Sequence, residues 1–235
     1  MSEISNLFQE IEKFDGYPDT MQRIAGKIKG TAFFPGGRGT TDGSETISNK
    51  PIMVLGQDFD TVEKFNKDVE ADEEDMEKNA TWNNLRKLLK ECDFKLNDCF
   101  FTNVILGARN NSKATGKSPA FKDKEFISYC RKFFLKQLET QKPKLILVLG
   151  KEVAMFLGQY GGKLEVWKKI INFQSVDEAG NQIIRDATFP NGITTNLVLL
   201  VHPSYRPVNV KRRRFNGLDG IDAEVEMIKT MRNEE

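Results

Sequence analysis

The chain has 235 residues, 39% hydrophobic and 10% aromatic, with 35 Lys+Arg against 34 Asp+Glu for a net charge of +1. That composition suits a packed core and excludes a disordered chain, and the length fits one sizeable α/β domain or two small ones. No run of about 18 apolar residues occurs, so a membrane-spanning helix is not expected, and the N-terminal MSEISNLFQEIEKF has neither secretory nor transit-peptide character.

Three cysteines, Cys92, Cys99 and Cys130, form no CxxC and leave an odd one over, which points to a reduced, cytoplasmic setting. They are too few for an all-cysteine iron–sulfur cluster, and their spacing gives no zinc signal. Charge is distributed unevenly. Residues 60–77 are strongly acidic, and 206–214 (RPVNVKRRR) is the densest basic run. Phosphate contacts act locally through screened charges, so the run carries more information than the net charge does.

In chain order, residues 3–14 read as an amphipathic helix with Ile4, Leu7, Phe8 and Ile11 on one stripe. The Gly-rich FFPGGRGTTDG at 33–43 reads as loop. Its Gly36-Gly37-Arg38-Gly39 is not followed by the Lys-Ser/Thr of a P-loop and is either a plain loop or one that touches nucleic acid. Four apolar runs come next as buried strands: 51–56, 99–106, 144–150 and 197–203. Helical patterns separate them: TWNNLRKLLKECD with Thr81 as candidate N-cap, KEFISYCRKFFLKQLE at 124–139, and EVAMFLG directly after Gly150 and Lys151. Residues 164–197 read as a hairpin or excursion before the last strand. With no internal repeat and no linker, one domain is expected. Apolar strands alternating with helices imply a three-layer α/β/α sandwich around a mostly parallel, four-stranded sheet.

Ligands of open parallel sheets bind at the carboxyl ends of the strands. There the sequence places Gly56-Gln57-Asp58-Phe59-Asp60, then Thr102-Asn103 leading to Arg109, then Gly150-Lys151-Glu152, and His202-Pro203-Ser204-Tyr205-Arg206, whose histidine is the only one in the chain. An asparagine offers a donor and an acceptor that can read a base edge. A carboxylate can orient water or stabilise a developing cation, and an imidazole can stabilise an anionic leaving group. Each has a plainer alternative: a turn or N-cap aspartate, a buried bridging amide, a strand-end histidine bonded to a carbonyl. Lys151 reads as a surface lysine before it reads as a phosphate ligand.

GQD after a first strand, TNVIL on the second, PKLILVLG on the third and HPS after the last together resemble the uracil-DNA glycosylase superfamily over roughly residues 51–207. CRKFFLKQLETQKPKLILVLG resembles the bacterial families, without their cluster-binding cysteines, and GQD resembles the housekeeping enzymes. The resemblance implies hydrolysis of an N-glycosidic bond in DNA after the nucleotide is flipped from the stack. It assigns Asp58 to water and the sugar cation, His202 to the uracil oxygen, Asn103 to the base edge and the Gln57 backbone N–H to the base. It assigns Ser204 to a DNA phosphate, and Arg206, or Tyr205 beside it, to the wedge that fills the vacated stack. Arg212, Arg213 and Arg214 come after these as phosphate contacts or a solvated face. GQD continues here with Phe59-Asp60 in place of the housekeeping Pro-Tyr, so Phe59 or Phe65 is left to stack on the base. The resemblance divides the single domain into 1–50 (helix and Gly-rich loop), 51–207 (core) and 208–235 (basic loop and helix).

Three functions are compatible with these residues. The first is a monomeric, cofactor-free glycosylase for uracil or another deaminated base, bound to DNA and not to membrane. The second is a superfamily member of weak or no activity that binds damaged DNA or abasic sites. The third is a nucleotide-binding α/β protein in which GQD and HPS are accidental.

Overall fold

The computed structural model describes residues 3–24, 33, 34, 37, 39, 49–70, 79–110, 113 and 115–232. Its strands in chain order are β1 (Met21–Arg23), β2 (Ile52–Gly56), β3 (Cys99–Asn103), β4 (Gly107–Arg109), β5 (Leu145–Leu149), β6 (Ile183–Thr188), β7 (Thr194–Leu200), β8 (Arg214–Phe215) and β9 (Leu218–Asp219). The helices are α1 (Glu3–Lys13), α2 (Val62–Glu70), α3 (Ala80–Glu91), α4 (Lys124–Gln141), α5 (Lys151–Leu157), α6 (Phe173–Glu178), α7 (Arg206–Asn209) and α8 (Gly220–Arg232). Short 3-10 turns join several of them.

The central sheet has five strands in the order β3-β2-β5-β7-β6. The first four run parallel and in phase: Gly56 lies beside Asn103, Ile52 beside Leu145, and Leu149 beside Leu200. Their side chains alternate between two cores. Met53, Leu55, Ile146 and Leu199 face α1, α4 and α5, and Val54, Phe101, Leu147 and Val198 face α3 and α8. Burial on both faces is what lets these strands be apolar throughout, and the three-layer α/β/α fold stands. The expected strand number does not. Residues 183–188 join the sheet as an antiparallel edge strand on β7, with a register shift between Ile184 and Ala187. An edge strand half open to solvent carries a mixed burial pattern, so its sequence lacks the unbroken apolar signal of the other four.

Three local differences bear on the site. The helix at 80–91 is capped by Asn79, whose Oδ1 accepts from the backbone N–H of Thr81 (2.9 Å) and Trp82 (3.4 Å), not by Thr81. The run 99–106 ceases to be strand after Asn103, where the Val104 and Ile105 N–H groups turn to the carbonyls of Gly56 and Gln57. The chain then forms β4, which pairs antiparallel with β1. The acidic run supplies α2 up to Glu70, and its remainder at 71–77 lies outside the described residues. Of the Gly-rich loop, Gly36 and Arg38 also lie outside them. Gly39 is pinned to β3 through its carbonyl (Phe101 N–H, 2.7 Å), with φ +66° and no room for a Cβ against the Phe100 ring (2.8 Å).

A buried ion network locks the C-terminal part to the sheet. Arg213, fully buried, donates to Asp177 on α6 (2.9 and 3.0 Å), to Glu224 on α8 (3.0 Å) and to the Leu199 carbonyl (2.8 Å). Glu224, also fully buried, pairs with Arg206 and accepts from the Val201 N–H at 2.7 Å. Removing one member of such a network strands the others as uncompensated charges. Among the described residues no helix is long and apolar enough to cross a membrane.

Glu224→Ala therefore lowers unfolding free energy in urea by about 3–5 kcal/mol. Glu10→Ala, which removes only the half-exposed pair with Lys136, costs about 1 kcal/mol or less. Equal losses would contradict the buried network.

Candidate functional site

The carboxyl ends of β2, β3, β5 and β7 open into one cavity of about 620 Å³, lined by Gly56, Asn103, Leu149 and Val201 together with the segments beyond the strands. The pairing of Gly56 with Asn103 explains why glycine ends β2. A Cβ at Gly56 would collide with Asn103 Oδ1, so the missing side chain gives the buried carboxamide its place. Gly150, at φ +95°, turns the chain from β5 into α5 with its N–H on the Leu200 carbonyl (2.8 Å).

Asp58 is nearly buried and forms an ion pair with Arg109 of β4, Nε to Oδ2 at 2.7 Å, with side chains 5% and 3% exposed. Asp58 Oδ1 accepts from the Asp60 N–H at 3.3 Å. Burial pushes the Asp58 pKa above the usual carboxylate value, and Arg109, the Ser118 hydroxyl and the Asp60 N–H act against that rise. The next residues bend sharply. Asp60 has φ +62°, a conformation aspartate tolerates better than bulkier residues, and its Oδ1 accepts from the Thr61 N–H at 2.7 Å. Phe59 is thereby turned into a small cluster with Ile24, Phe65 and Ala108, meeting the Phe65 ring edge-to-face at 5.6 Å. Both phenylalanines line the cavity, as does Gln57, whose side-chain amide donates to the Gly116 carbonyl (3.0 Å) and accepts from the Ser118 N–H (3.4 Å).

His202 lies two residues beyond β7, half-buried and on the cavity. Its Nδ1 accepts from the Ser204 N–H at 3.3 Å and lies 2.8 Å from Ser204 Oγ. With Nδ1 accepting, the proton of the neutral ring sits on Nε2, which is then its hydrogen-bond donor. Burial, reinforced by the charge of Arg109, pushes the His202 pKa down to about 4, so the ring is neutral near pH 7. The turn that carries it is braced from α3, where Asn84 Nδ2 donates to the Pro203 carbonyl at 3.0 Å.

The basic residues after His202 separate into two groups. Tyr205 is 44% exposed at the cavity mouth and Arg212 is exposed on its lining, as is Ser204. Arg214 is exposed but paired with Asp219 at 2.8 Å. Arg206 and Arg213 are the corrections. Both are buried and held by Glu224 and Asp177, so neither presents its guanidinium as a wedge or a phosphate ligand. An Arg-rich run reads as surface in a sequence because the buried acids that neutralise it lie on other helices. Lys151 donates to the Ile171 carbonyl at 3.3 Å, which draws residues 171–174 to the cavity.

Arg109 carries the largest share of what sequence reasoning missed. Its one signal was its place after the second strand, beside residues already singled out. Trp82 and Phe33, which also line the cavity, gave no signal beyond core hydrophobicity. The three cysteines are buried, with thiol pKa values pushed up to about 12 by burial. Among the described residues no group of three or more His, Cys, Asp or Glu is placed to hold a metal ion.

The doubly covered, mostly parallel sheet gathers a carboxylate, a carboxamide and a neutral imidazole at its strand ends, the place where open α/β sheets bind their ligands. The sequence matches the profile of the uracil DNA glycosylase superfamily over residues 47–221, most of the chain, and the chain belongs to that superfamily. Membership supports a DNA glycosylase-type role. A search of curated proteins finds no match.

Because His202 is the only histidine, its Cε1–H resonance is unambiguous in proton NMR. Its titration midpoint is expected near 4; a midpoint near 6.5 would contradict the buried, neutral ring. Below about pH 6.5 the unfolded chain binds a proton that the folded chain refuses, so stability falls as pH drops toward 4.

Proposed function

We propose that the chain, acting as a monomer, removes uracil or another deaminated base from DNA and leaves an abasic site. The observation that carries this reading is the meeting of Asp58, Asn103 and His202 on one cavity in a chain of the uracil DNA glycosylase superfamily. The target nucleotide must leave the stack, because its anomeric carbon and base edge are inaccessible there. Asn103 reads the base edge, and Phe59 or Phe65 supplies the aromatic wall. As the glycosidic C–N bond breaks, its electron pair goes to the base and positive charge builds on the sugar. Asp58 stabilises that charge and takes a proton from the water whose oxygen bonds to the anomeric carbon. His202 donates through Nε2 to the base oxygen that becomes negative, a role suited to a neutral ring. Tyr205 occupies the mouth, where a wedge would enter the stack, and Arg212 and Ser204 meet the backbone.

A second reading, binding without cleavage, has one observation in its favour: the Asp58 carboxylate is already engaged by Arg109. Oligonucleotides bearing uracil, hypoxanthine or xanthine, single- and double-stranded, followed by alkaline cleavage of abasic sites, separate the two. Release of at least one base is expected, with Asp58→Asn and His202→Ala each lowering single-turnover release by about 10²–10⁴-fold. Binding with no release, unchanged in Asp58→Asn, would favour the second reading. Absence of both binding and release would sink the two together. Arg212→Gln is expected to flatten the salt dependence of duplex binding by about 0.9 in log–log slope, as one lost phosphate contact does; an unchanged slope would remove Arg212 from the interface.

A further inference from the structure

Arg109 is a buried cation placed among groups that the proposed reaction uses, yet that reaction gives it no part. We propose that Arg109 is the positioning residue of this site: its guanidinium fixes the Asp58 carboxylate and fastens residues 115–118 to it, so that carboxylate and cavity wall form one unit. The proposal rests on the reading of Asp58 as the acting carboxylate.

The geometry uses the whole fork. Nε holds Asp58 Oδ2 at 2.7 Å. Nη1 donates to the carbonyls of Lys113 (2.8 Å) and Thr115 (3.2 Å), and Nη2 donates to that of Gly116 (2.9 Å). A guanidinium presents its donors in one rigid plane, so satisfying these carbonyls also dictates where the carboxylate lies. Gln57, one residue before Asp58, ties itself to the same segment through Gly116 and Ser118. Thr115, Gly116 and Lys117 line the cavity. The wall on this side is thus held by two residues of the Gly56–Asp58 turn and one of β4. A buried ion pair is a weak source of stability compared with apolar packing of equal volume, so stability alone accounts poorly for a charge pair placed here.

The pair also sets the charge states around it. Arg109 opposes the rise that burial imposes on Asp58, and it adds to the fall that burial imposes on His202. The Ser118 hydroxyl and the Asp60 N–H also favour the ionised Asp58. Other charges on the cavity come from Asp60 beside Asp58, Lys64 of α2, Lys117 of the wall, Lys151 and Glu152 of α5, and Arg212. Asp60 meets Asp58 only through its backbone N–H, and among the described residues Lys117, Lys151, Glu152 and Arg212 have no hydrogen bond or ion pair to it, whereas Arg109 has both.

Two variants separate charge from shape. Arg109→Gln removes the cation; Arg109→Lys keeps a charge but loses the fork. Carbon-13 NMR of the Asp58 carboxyl, assigned with Asp58→Asn, and proton NMR of His202 are read in the protein without DNA. Amide hydrogen exchange is read at residues 115–118. In Arg109→Gln both titration midpoints are expected to move upward and exchange at 115–118 to quicken by about tenfold or more, as for lost charge-assisted hydrogen bonds. Arg109→Lys is expected to return the midpoints toward wild type while exchange at 115–118 stays fast. In the base-release assay the acidic limb of the pH–rate profile follows the Asp58 midpoint upward in Arg109→Gln and back in Arg109→Lys. Unchanged midpoints and unchanged exchange in a cooperatively folded Arg109→Gln would overturn the proposal. If Arg109→Gln fails to fold, Arg109→Lys decides: slow, wild-type exchange at 115–118 overturns it. Because the NMR and exchange readouts need no catalysis, failure of wild-type base release would strike the proposed function and leave Arg109 to be judged separately.

Discussion

The in-phase register of four parallel strands, buried on both faces, is the constraint on which the rest of the structure depends. A parallel sheet must hide both surfaces, so its strands are given over almost wholly to core packing. The polar groups of the site are concentrated at and just beyond their carboxyl ends. Since Gly56 pairs with Asn103 and Leu149 with Leu200, those ends finish at one level, and the residues after them face a common space. Residues far apart in the chain, Asp58, Asn103 and His202, become neighbours of one cavity through strand register and not through local sequence.

Burying charge at such an edge costs several kcal/mol per ion unless partners are supplied. The protein supplies them in two places. Around Asp58 the partner is Arg109, which reaches across from the short β4 strand. Behind His202 the partners are Glu224 and Asp177, which hold Arg206 and Arg213. The second network lies under the turn that presents His202: Glu224 binds the Val201 N–H on one side of it and Arg206 on the other. The C-terminal helix, much of it beyond the matched residues 47–221, is in this way coupled to the site. His202 itself is treated oppositely, kept neutral by burial and bonded to no carboxylate among the described residues.

Much of this was legible in the sequence because it rests on local pattern. The four apolar runs, the helices between them and the residues at the strand ends are set by periodicity and by glycine. The rest was hidden because it depends on pairing at a distance. The fifth strand, β6, has a mixed burial pattern suited to an edge, so the hairpin reading of 164–197 did not reveal that it joins the central sheet. Asn79 outcompeted Thr81 as a cap because its side chain reaches the N–H groups that Thr81, already inside the helix, cannot. Arg206 and Arg213 stand in the most basic stretch of the chain, yet are buried by acids on α6 and α8 that no local window includes. Arg109 was visible only as a charge after a strand. Its importance appears when its four acceptors are seen together. The Phe59-Asp60 departure gains a physical description as well: Asp60 takes the left-handed bend, and Phe59 packs against Phe65 in the cavity lining.

The central claim is that the strand-end cavity is where DNA presents its base. The most direct measurement is amide hydrogen exchange with and without a single-stranded oligonucleotide carrying one 2′-fluorinated deoxyuridine, whose glycosidic bond resists cation-like cleavage. The account predicts slowed exchange at residues 56–60, 103–109, 150–152 and 202–205, the segments that leave the four parallel strands, against an oligonucleotide with thymidine in that place. Protection confined to other surfaces, or no difference at these four segments on a bound oligonucleotide, would contradict it.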